Sequence, residues 1–337
     1  MKGKIVYLLP NGDKLIYHKM SFYRNNEYIA SLPFSGILLL LIRLRIVSRF
    51  LRLEPRSIGQ LTETKFVVSI LRKIWLLDLK TKSLEVLMIN GEGWSNPLNF
   101  CSDGESLYWG DYGSNPYHLP VKIYRLDQDL KLTTVYQFSS NLIRHIHNIL
   151  WDKERHHFFI LTGDLESTSG IYLASADWKI VKPVKVGNQQ YRAVVAFLYK
   201  EGLIYATDSV VNENHIYILN EGGIRKICKI PGSCIYGVEI KDYYVFSTTV
   251  EPPEGRNVLN MFSYKLGEGI VDRYSHVILV RKDNLCVDEI FKTRKDWLPM
   301  KLFQYGSIMF PQGQGNSKEL WGYIMACHKD GHTIKIL

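Results

Sequence analysis

Two histidines, His145 and His147, are the residues of this sequence whose spacing points most directly to chemistry. They are two positions apart, so on a β-strand both side chains point to the same side. Two imidazoles on one side can bind a single metal ion, or they can act as an acid and a base. Either histidine could also be a hydrogen-bonded core residue. We predict a catalytic or metal-binding pair, with a divalent ion (Ca²⁺, Mn²⁺ or Zn²⁺) as the cofactor.

Carboxylates follow several short apolar runs and should lie at equivalent strand ends. The four residues are Asp111, Asp164, Asp208 and Glu251. Any one of them could be structural, because Asp often accepts local backbone hydrogen bonds in turns. We predict that Asp164 and Asp208 are metal ligands or acid/base groups, and that Asp111 and Glu251 bind substrate.

Cationic, amide and aromatic side chains precede the equivalent strand starts. The predicted substrate-binding residues of this kind are Arg144, Arg192, Gln190, Trp94 and Asn96. Arginine can bind a carboxylate or a sulfate through two parallel hydrogen bonds. Tyr191 and Tyr236 could stack on a sugar ring or transfer a proton, so both are predicted catalytic candidates. This combination of residue types indicates an anionic sugar as the ligand.

A hairpin pattern recurs along the chain and should position these residues. An apolar strand, a polar turn and a second strand of the Ile-Tyr type recur within residues 66–76, 107–126, 158–173, 203–219, 243–265 and 307–324. A repeat of about 40–50 residues with several short strands is typical of a β-propeller. A β-sandwich has similar strand spacing, but six recurrences favour the propeller. We predict an all-β, six-bladed propeller forming a single domain over 1–337, with seven blades as the alternative because residues 1–35 could supply more strands.

The blade that carries the histidine pair can be predicted strand by strand. Its strands should cover residues 145–151, 158–162, 171–174 and 180–184. In a four-stranded blade the innermost strand begins, and its neighbour ends, on the same rim. His145 and His147 should therefore share a rim with Asp164 or Asp208, on the face where propellers usually bind ligands.

One hairpin carries a family resemblance. Residues 171–178 read IYLASADW, in which Ser175 and Asp177 match the pattern S-x-D-x-G-x-x-W, although Lys179 replaces the Gly and Trp178 comes early. The chain thus resembles the sialidase-like (Asp-box) propeller superfamily, which implies a carbohydrate ligand. The arginine triad of sialidases has no counterpart here, so sialidase activity is not implied. The chain is also similar to some propeller polysaccharide lyases in its H-x-H spacing, and it resembles propellers of bacterial surface-polysaccharide systems.

These features together predict a carbohydrate-active propeller. It would act on an anionic glycan or polysaccharide, as a lyase or a glycoside hydrolase, in bacterial surface-polysaccharide (capsule) metabolism. A non-catalytic glycan- or protein-binding propeller is one alternative, and a lactonase-type metal hydrolase using Asp208 is another. No glycine-rich phosphate loop is present, so no nucleotide cofactor is expected. The net charge of +9 comes without a nucleic-acid-binding signature, so no nucleic acid is expected.

Cysteine usage and one apolar segment bear on location. Five cysteines, an odd number with no CxxC pair, favour a reducing compartment, so we predict a cytoplasmic protein. Residues 36–53 read GILLLLIRLRIVSRFLRL, a basic amphipathic insertion that is too short to span a bilayer. Such a segment could form a helix on an anionic membrane surface, or it could be a buried element whose arginines reach the solvent.

Overall fold

The computed structural model describes residues 1–255 and 261–337. In these residues the strands form seven antiparallel sheets, six with four strands and one with three. Strands that follow one another in sequence are neighbours within every sheet, which is the meander of a propeller blade. The chain is therefore an all-β, seven-bladed β-propeller. It divides into two compact units, here called the terminal unit (Met1–Glu54 with Val195–Leu337) and the middle unit (Pro55–Val194).

The terminal unit begins with blade 1 and two short helices. The strands of blade 1 are β1 (Lys4–Leu8), β2 (Lys14–His18), β3 (Ser21–Arg24) and β4 (Glu27–Ser31). The helices α1 (Gly36–Ile42) and α2 (Arg45–Phe50) follow, within the segment singled out in the sequence. In the described part of the chain, no helix combines the length and the apolar character needed to cross a membrane.

The middle unit contains blades 2 to 4. Blade 2 consists of β5 (Ser57–Gln60), β6 (Lys65–Ile70), β7 (Lys73–Asp78) and β8 (Ser83–Ile89). Blade 3 consists of β9 (Cys101–Ser102), β10 (Ser106–Gly110), β11 (Val121–Asp127) and β12 (Leu132–Phe138). Blade 4 consists of β13 (His145–Asp152), β14 (His157–Gly163), β15 (Gly170–Ser175) and β16 (Val181–Val186).

The remaining blades lie in the terminal unit, except that the first two residues of β17 belong to the middle unit. Blade 5 consists of β17 (Ala193–Tyr199), β18 (Gly202–Thr207), β19 (Asn214–Asn220) and β20 (Gly223–Ile230). Blade 6 consists of β21 (Cys234–Ile240), β22 (Tyr243–Thr248), β23 (Tyr274–Arg281) and β24 (Val287–Arg294). Helix α3 (Met300–Phe303) precedes blade 7, which consists of β25 (Ser307–Met309), β26 (Trp321–Met325) and β27 (Thr333–Lys335).

The prediction of six blades is wrong and the alternative of seven is confirmed, because residues 4–31 form a complete blade of their own. The β2–β3 turn consists of Lys19 and Met20, and both have positive φ angles, of 46° and 70°. Turns of that shape normally use Asn or Gly. The sequence therefore carries no turn signal between the second and third strands of this blade.

A second correction concerns blade 6. The repeat predicted its second hairpin strand at 261–265, but β22 pairs with β23, with Tyr243 opposite Arg281. The residues of β23 from Ser275 to Val280 are all buried, whereas Phe262 is well exposed. Burial of a continuous apolar strand outweighs the local alternation at 261–265, so the pairing partner lies further along the chain.

Aromatic side chains pack together against the strands of blade 4. The Phe158 ring lies 4.6 Å from the Trp178 ring and 4.8 Å from the Tyr108 ring, measured between centroids. These residues belong to one buried cluster that also contains Ile146 and Ile160. Ile146 lies between the two histidines in β13, so its burial in this cluster holds the start of that strand in the core.

Candidate metal and substrate site

The histidine pair lies at the start of β13. His145 is its first residue, and His147 sits at an irregularity in the β13–β14 register between Ile146 and Asn148. Bulges of this kind often redirect a side chain near a functional site. Both residues are 2% exposed, and their Nε2 atoms are 3.0 Å apart. The two rings therefore converge on one point.

Backbone carbonyl groups determine which ring nitrogens face that point. His145 Nδ1 lies 2.5 Å from the carbonyl oxygen of Gly113, and His147 Nδ1 lies 3.0 Å from that of Ala193. A carbonyl oxygen only accepts, so each Nδ1 carries a proton and donates it. In the neutral rings the lone pairs are then on the two facing Nε2 atoms. This is the arrangement that orients histidines as metal ligands.

Asp164 completes the group. It directly follows β14, and its Oδ1 is 3.3 Å from Nε2 of His145 and 3.0 Å from Nε2 of His147. The three ligand atoms lie within 4.8 Å of one another. The lone pairs on the facing Nε2 atoms of the two neutral rings repel each other unless a cation or a proton lies between them. Two imidazoles and one carboxylate therefore fit a divalent transition-metal ion such as Zn²⁺ or Mn²⁺ better than Ca²⁺, which prefers oxygen ligands.

The charges around Asp164 keep it ionised. Burial alone would raise the pKa of Asp164, but His145 and His147 in their protonated forms hold that pKa well below its ordinary value, through their charge and through hydrogen bonds that the carboxylate accepts. Burial lowers the pKa of His147 by more than the hydrogen bond that His147 donates to Asp164 raises it. The carboxylate is therefore negative and His147 neutral at neutral pH, as metal ligation requires.

The two predicted arginines have different roles. Buried Arg192 donates to the backbone carbonyl oxygen of Asp164 at 2.9 Å, and its second terminal nitrogen is 3.4 Å from Oδ1 of that residue. Arg144 is 26% exposed at its side chain, donates through Nε to the Ser114 carbonyl, and has a terminal nitrogen 3.7 Å from Oδ2 of Asp164. Arg192 therefore positions the carboxylate, whereas Arg144 is accessible to a ligand.

The remaining candidates of the middle unit serve nearby loops. Gln190 and Tyr191 are half-buried in the turn Gln189–Tyr191, immediately before β17. The backbone of Trp94 pairs with Gly113, the residue whose carbonyl receives the hydrogen bond of His145. The side-chain oxygen of Asn96 accepts a hydrogen bond from the backbone of Arg72 in the β6–β7 turn.

Three candidates belong to the terminal unit. Asp208 follows β18 and is buried. Tyr236 is the third residue of β21 and is half-buried. Glu251 is also buried, and its carboxylate accepts hydrogen bonds from the hydroxyl groups of Ser233 and Thr249. Their roles stay predictions.

Three residues around the histidine pair were missed by the sequence analysis. The Tyr112 ring centroid is 4.6 Å from that of His145, and Gln189 donates to the Asp164 carbonyl oxygen at 2.9 Å. Gly163 lies against the His147 ring, because a Cβ atom at this glycine would be 2.2 Å from Cε1 of His147. Gln189 lay within a polar stretch of the sequence, but no local signal distinguishes Gly163 from an ordinary turn glycine.

Asp111 is held inside the fold. It is buried, and Oδ2 accepts a hydrogen bond from the backbone N–H of Lys122 at 2.9 Å. Burial raises the pKa of Asp111 from 3.8 to about 6, because it disfavours the charged form. The folded state therefore binds this proton more tightly than the unfolded chain does. The free energy of unfolding contributed by Asp111 is greatest below its unfolded pKa and falls as the pH rises to about 6.

We predict that Asp111→Asn becomes more stable relative to the wild type as the pH rises. The relative gain between about pH 4.5 and about pH 7.5 should be about 1–3 kcal/mol, since one pKa unit corresponds to about 1.4 kcal/mol. Urea unfolding of both proteins at the two pH values measures it. Asp129→Asn, at an exposed turn of the same blade, is the control. A difference in stability between Asp111→Asn and the wild type that does not change with pH would contradict the prediction.

Comparison with solved structures supports the fold. Oligogalacturonate lyase from Vibrio parahaemolyticus aligns with a TM-score of 0.55 at 10% identity, covering 94% of this chain and 87% of that chain. An oligogalacturonate lyase in complex with manganese aligns with a TM-score of 0.50 at 11% identity, covering 77% of this chain and 70% of that chain. The extracellular domain of a one component system from B. thetaiotaomicron aligns with a TM-score of 0.54 at 10% identity, covering 97% of this chain but 39% of that chain.

These similarities show a propeller fold and leave the Asp-box resemblance a prediction. No protein-family model and no curated protein matches the sequence.

Proposed function

We propose that this propeller is a divalent-metal-dependent enzyme that cleaves an acidic polysaccharide by β-elimination. The observation that carries the proposal is the convergence of His145, His147 and Asp164 on one point, beside the accessible Arg144. The similarity of the fold to two oligogalacturonate lyases, one of them in complex with manganese, supports this choice among carbohydrate-active functions.

Elimination places two demands on the protein. The substrate carboxylate must be neutralised so that the proton on the adjacent carbon becomes acidic, and a base must remove that proton. A divalent ion, when bound, supplies Lewis acidity toward the carboxylate. Arg144 supplies a second positive charge and a planar pair of donors. Arg192 and Gln189 hold Asp164 in place through its backbone carbonyl oxygen.

A group outside the ligand set must accept the proton. As ligands, His145 and His147 have no free ring nitrogen, because each Nδ1 donates to a backbone carbonyl. Two half-buried tyrosines lie next to residues of the site: Tyr112 packs beside His145, and Tyr191 lies in the same turn as Gln189, which bonds to Asp164. We assign the proton transfer to this pair. The acceptor must be the deprotonated (phenolate) form of the tyrosine. Cleavage transfers the proton from carbon to the phenolate oxygen, forms the C=C bond as the C–O bond to the glycosidic oxygen breaks, and returns the proton to that oxygen, so that the leaving sugar carries a hydroxyl group.

A product screen tests the proposal. Purified protein is incubated with a panel of polyuronates and sulfated polysaccharides, with Mn²⁺, with Zn²⁺ or with a chelator. Ultraviolet absorbance reports unsaturated uronate, and an assay for reducing ends reports any cleavage. We expect metal-dependent absorbance that His147→Ala abolishes and His156→Asn preserves, since His156 is an exposed residue in the β13–β14 turn.

The other outcomes distinguish among functions. New reducing ends without absorbance would replace elimination by hydrolysis. Binding of an acidic glycan on an array, with no cleavage of that same glycan, would replace the enzyme by a glycan-binding propeller. If absorbance is seen, Tyr112→Phe and Tyr191→Phe identify the proton acceptor, because its loss should lower kcat by about 100-fold or more.

A further inference from the structure

The α1–α2 segment shows an inverted polarity that the proposed function does not explain. Six of its apolar side chains point outward, whereas Ile42 is buried: Leu40, Leu41, Leu44, Ile46, Phe50 and Leu51 are between 45% and 64% exposed. These six residues are called the apolar patch below. Two of the arginines point inward instead, and Arg49 is 3% exposed. An ordinary surface helix shows the opposite arrangement.

Buried ion pairs hold the segment in this orientation. Arg49 pairs with Asp296 and also donates to the carbonyl oxygen of Phe303 at 3.0 Å. Arg45 binds both carboxylate oxygens of Asp330, at 2.6 and 2.7 Å, and pairs with Glu54. All of these residues belong to the terminal unit. The inward arginines therefore attach the segment to blades 6 and 7 and leave its apolar side uncovered.

The surroundings of the apolar patch are basic and aromatic. Arg43 and Arg52 are exposed, and the segment 36–53 contains no acidic residue. The guanidinium of Arg52 contacts the backbone of Lys301 in α3, and the Phe50 ring lies 5.8 Å from the Phe303 ring. Trp297, next to the Arg49 partner Asp296, is 77% exposed. Exposed Leu, Phe and Trp side chains with flanking Arg and Lys are the composition of surfaces that lie in a membrane interface.

We infer that the apolar patch, together with Trp297, Arg43 and Arg52, is a docking surface for an anionic lipid membrane. The apolar side chains enter the boundary between head groups and acyl chains. The two arginines and Lys301 provide charge complementary to acidic head groups. This inference does not depend on the proposed function, because it involves none of the residues of the metal site.

Vesicle sedimentation tests the inference. The full-length protein is mixed with vesicles of phosphatidylserine and phosphatidylcholine, or of phosphatidylcholine alone, and the bound fraction is measured. We expect binding that requires phosphatidylserine and weakens as salt is added. Leu44→Glu/Phe50→Glu should lower the partition coefficient at least about tenfold, and Arg43→Gln and Arg52→Gln should each lower it about fivefold.

Controls keep the result specific. Ile89→Glu/Ile180→Glu places the same two charges at exposed apolar residues of blades 2 and 4 and should leave binding unchanged. Melting temperatures confirm that each variant is folded. Brominated lipids should quench tryptophan fluorescence in the wild type but much less in Trp297→Phe.

Either of two results would overturn the inference. The first is that wild-type protein does not bind the anionic vesicles. The second is that Leu44→Glu/Phe50→Glu binds them as well as wild type does. If, in the absence of vesicle binding, light scattering shows that the double variant changes the oligomeric state, the patch is instead an interface between copies of this chain.

Discussion

Replacing Gly163 by alanine should weaken Mn²⁺ or Zn²⁺ binding by about 100-fold or more, although residue 163 has no side chain that could bind a metal. The new Cβ would lie 2.2 Å from Cε1 and 2.7 Å from Nε2 of His147. The ring has no room to retreat, because it is buried and its Nδ1 is bonded to the carbonyl of Ala193. His147 must therefore turn away from Asp164. Isothermal titration calorimetry measures the change in affinity.

Two comparisons separate this effect from a general loss of structure. Gly315→Ala adds a Cβ where no atom lies within 4 Å and should leave metal binding unchanged. In a double-mutant cycle, Gly163→Ala should cost little stability when His147 is already alanine, because the clashing ring is gone. If Gly163→Ala binds metal as tightly as wild type does, His147 does not bind the metal from its position beside Gly163. Equal destabilisation by Gly163→Ala in both backgrounds would also contradict the argument.

Arg49→Ala should lower the free energy of unfolding by about 3–5 kcal/mol, which is a large effect for one helical residue. Arg49 is buried and bonds to Asp296, Asp330 and the carbonyl of Phe303. Removing the guanidinium leaves the largely buried carboxylates of Asp296 and Asp330 with less positive charge nearby. It also removes the hydrogen bonds that Arg49 donates to the carbonyl of Phe303. Urea denaturation, monitored by tryptophan fluorescence, measures the change.

Arg52→Ala provides the matched comparison. Arg52 lies three positions further along, is exposed, and donates a hydrogen bond of 3.3 Å to the carbonyl of Lys301. Its substitution should change the free energy of unfolding by no more than about 0.5 kcal/mol. Similar effects for the two arginines would mean that the ion pairs of Arg49 do not hold the segment in place. The pair thus distinguishes an arginine that attaches α2 from one available to a membrane.

Strand positions followed from sequence wherever apolar residues and turn residues agreed. In blade 4 the predicted ranges match β13 to β16 within two residues. The strand predictions failed where a turn lacked the usual turn residues or where an alternating segment did not form the predicted strand. Lys19 and Met20 form a turn without Gly, Asn or Asp, and the seven-bladed fold was only the alternative prediction. Residues 261–265 show the alternation of a strand, but β22 pairs instead with β23, a more deeply buried segment further along the chain.

The sequence alone determined the propeller class, most strand positions, and the placement of His145 and His147 on one side of a strand, with Asp164 or Asp208 as the accompanying carboxylate. Those features depend on periodicities of two residues and of one blade, which a linear pattern records directly. The tertiary structure decided which ring nitrogen of each histidine faces the site, why residue 163 is a glycine, and which arginine is accessible. It also decided that Arg45 and Arg49 point inward while neighbouring leucines point outward. These properties depend on carbonyls and carboxylates supplied by distant parts of the chain, and no local pattern encodes those contacts.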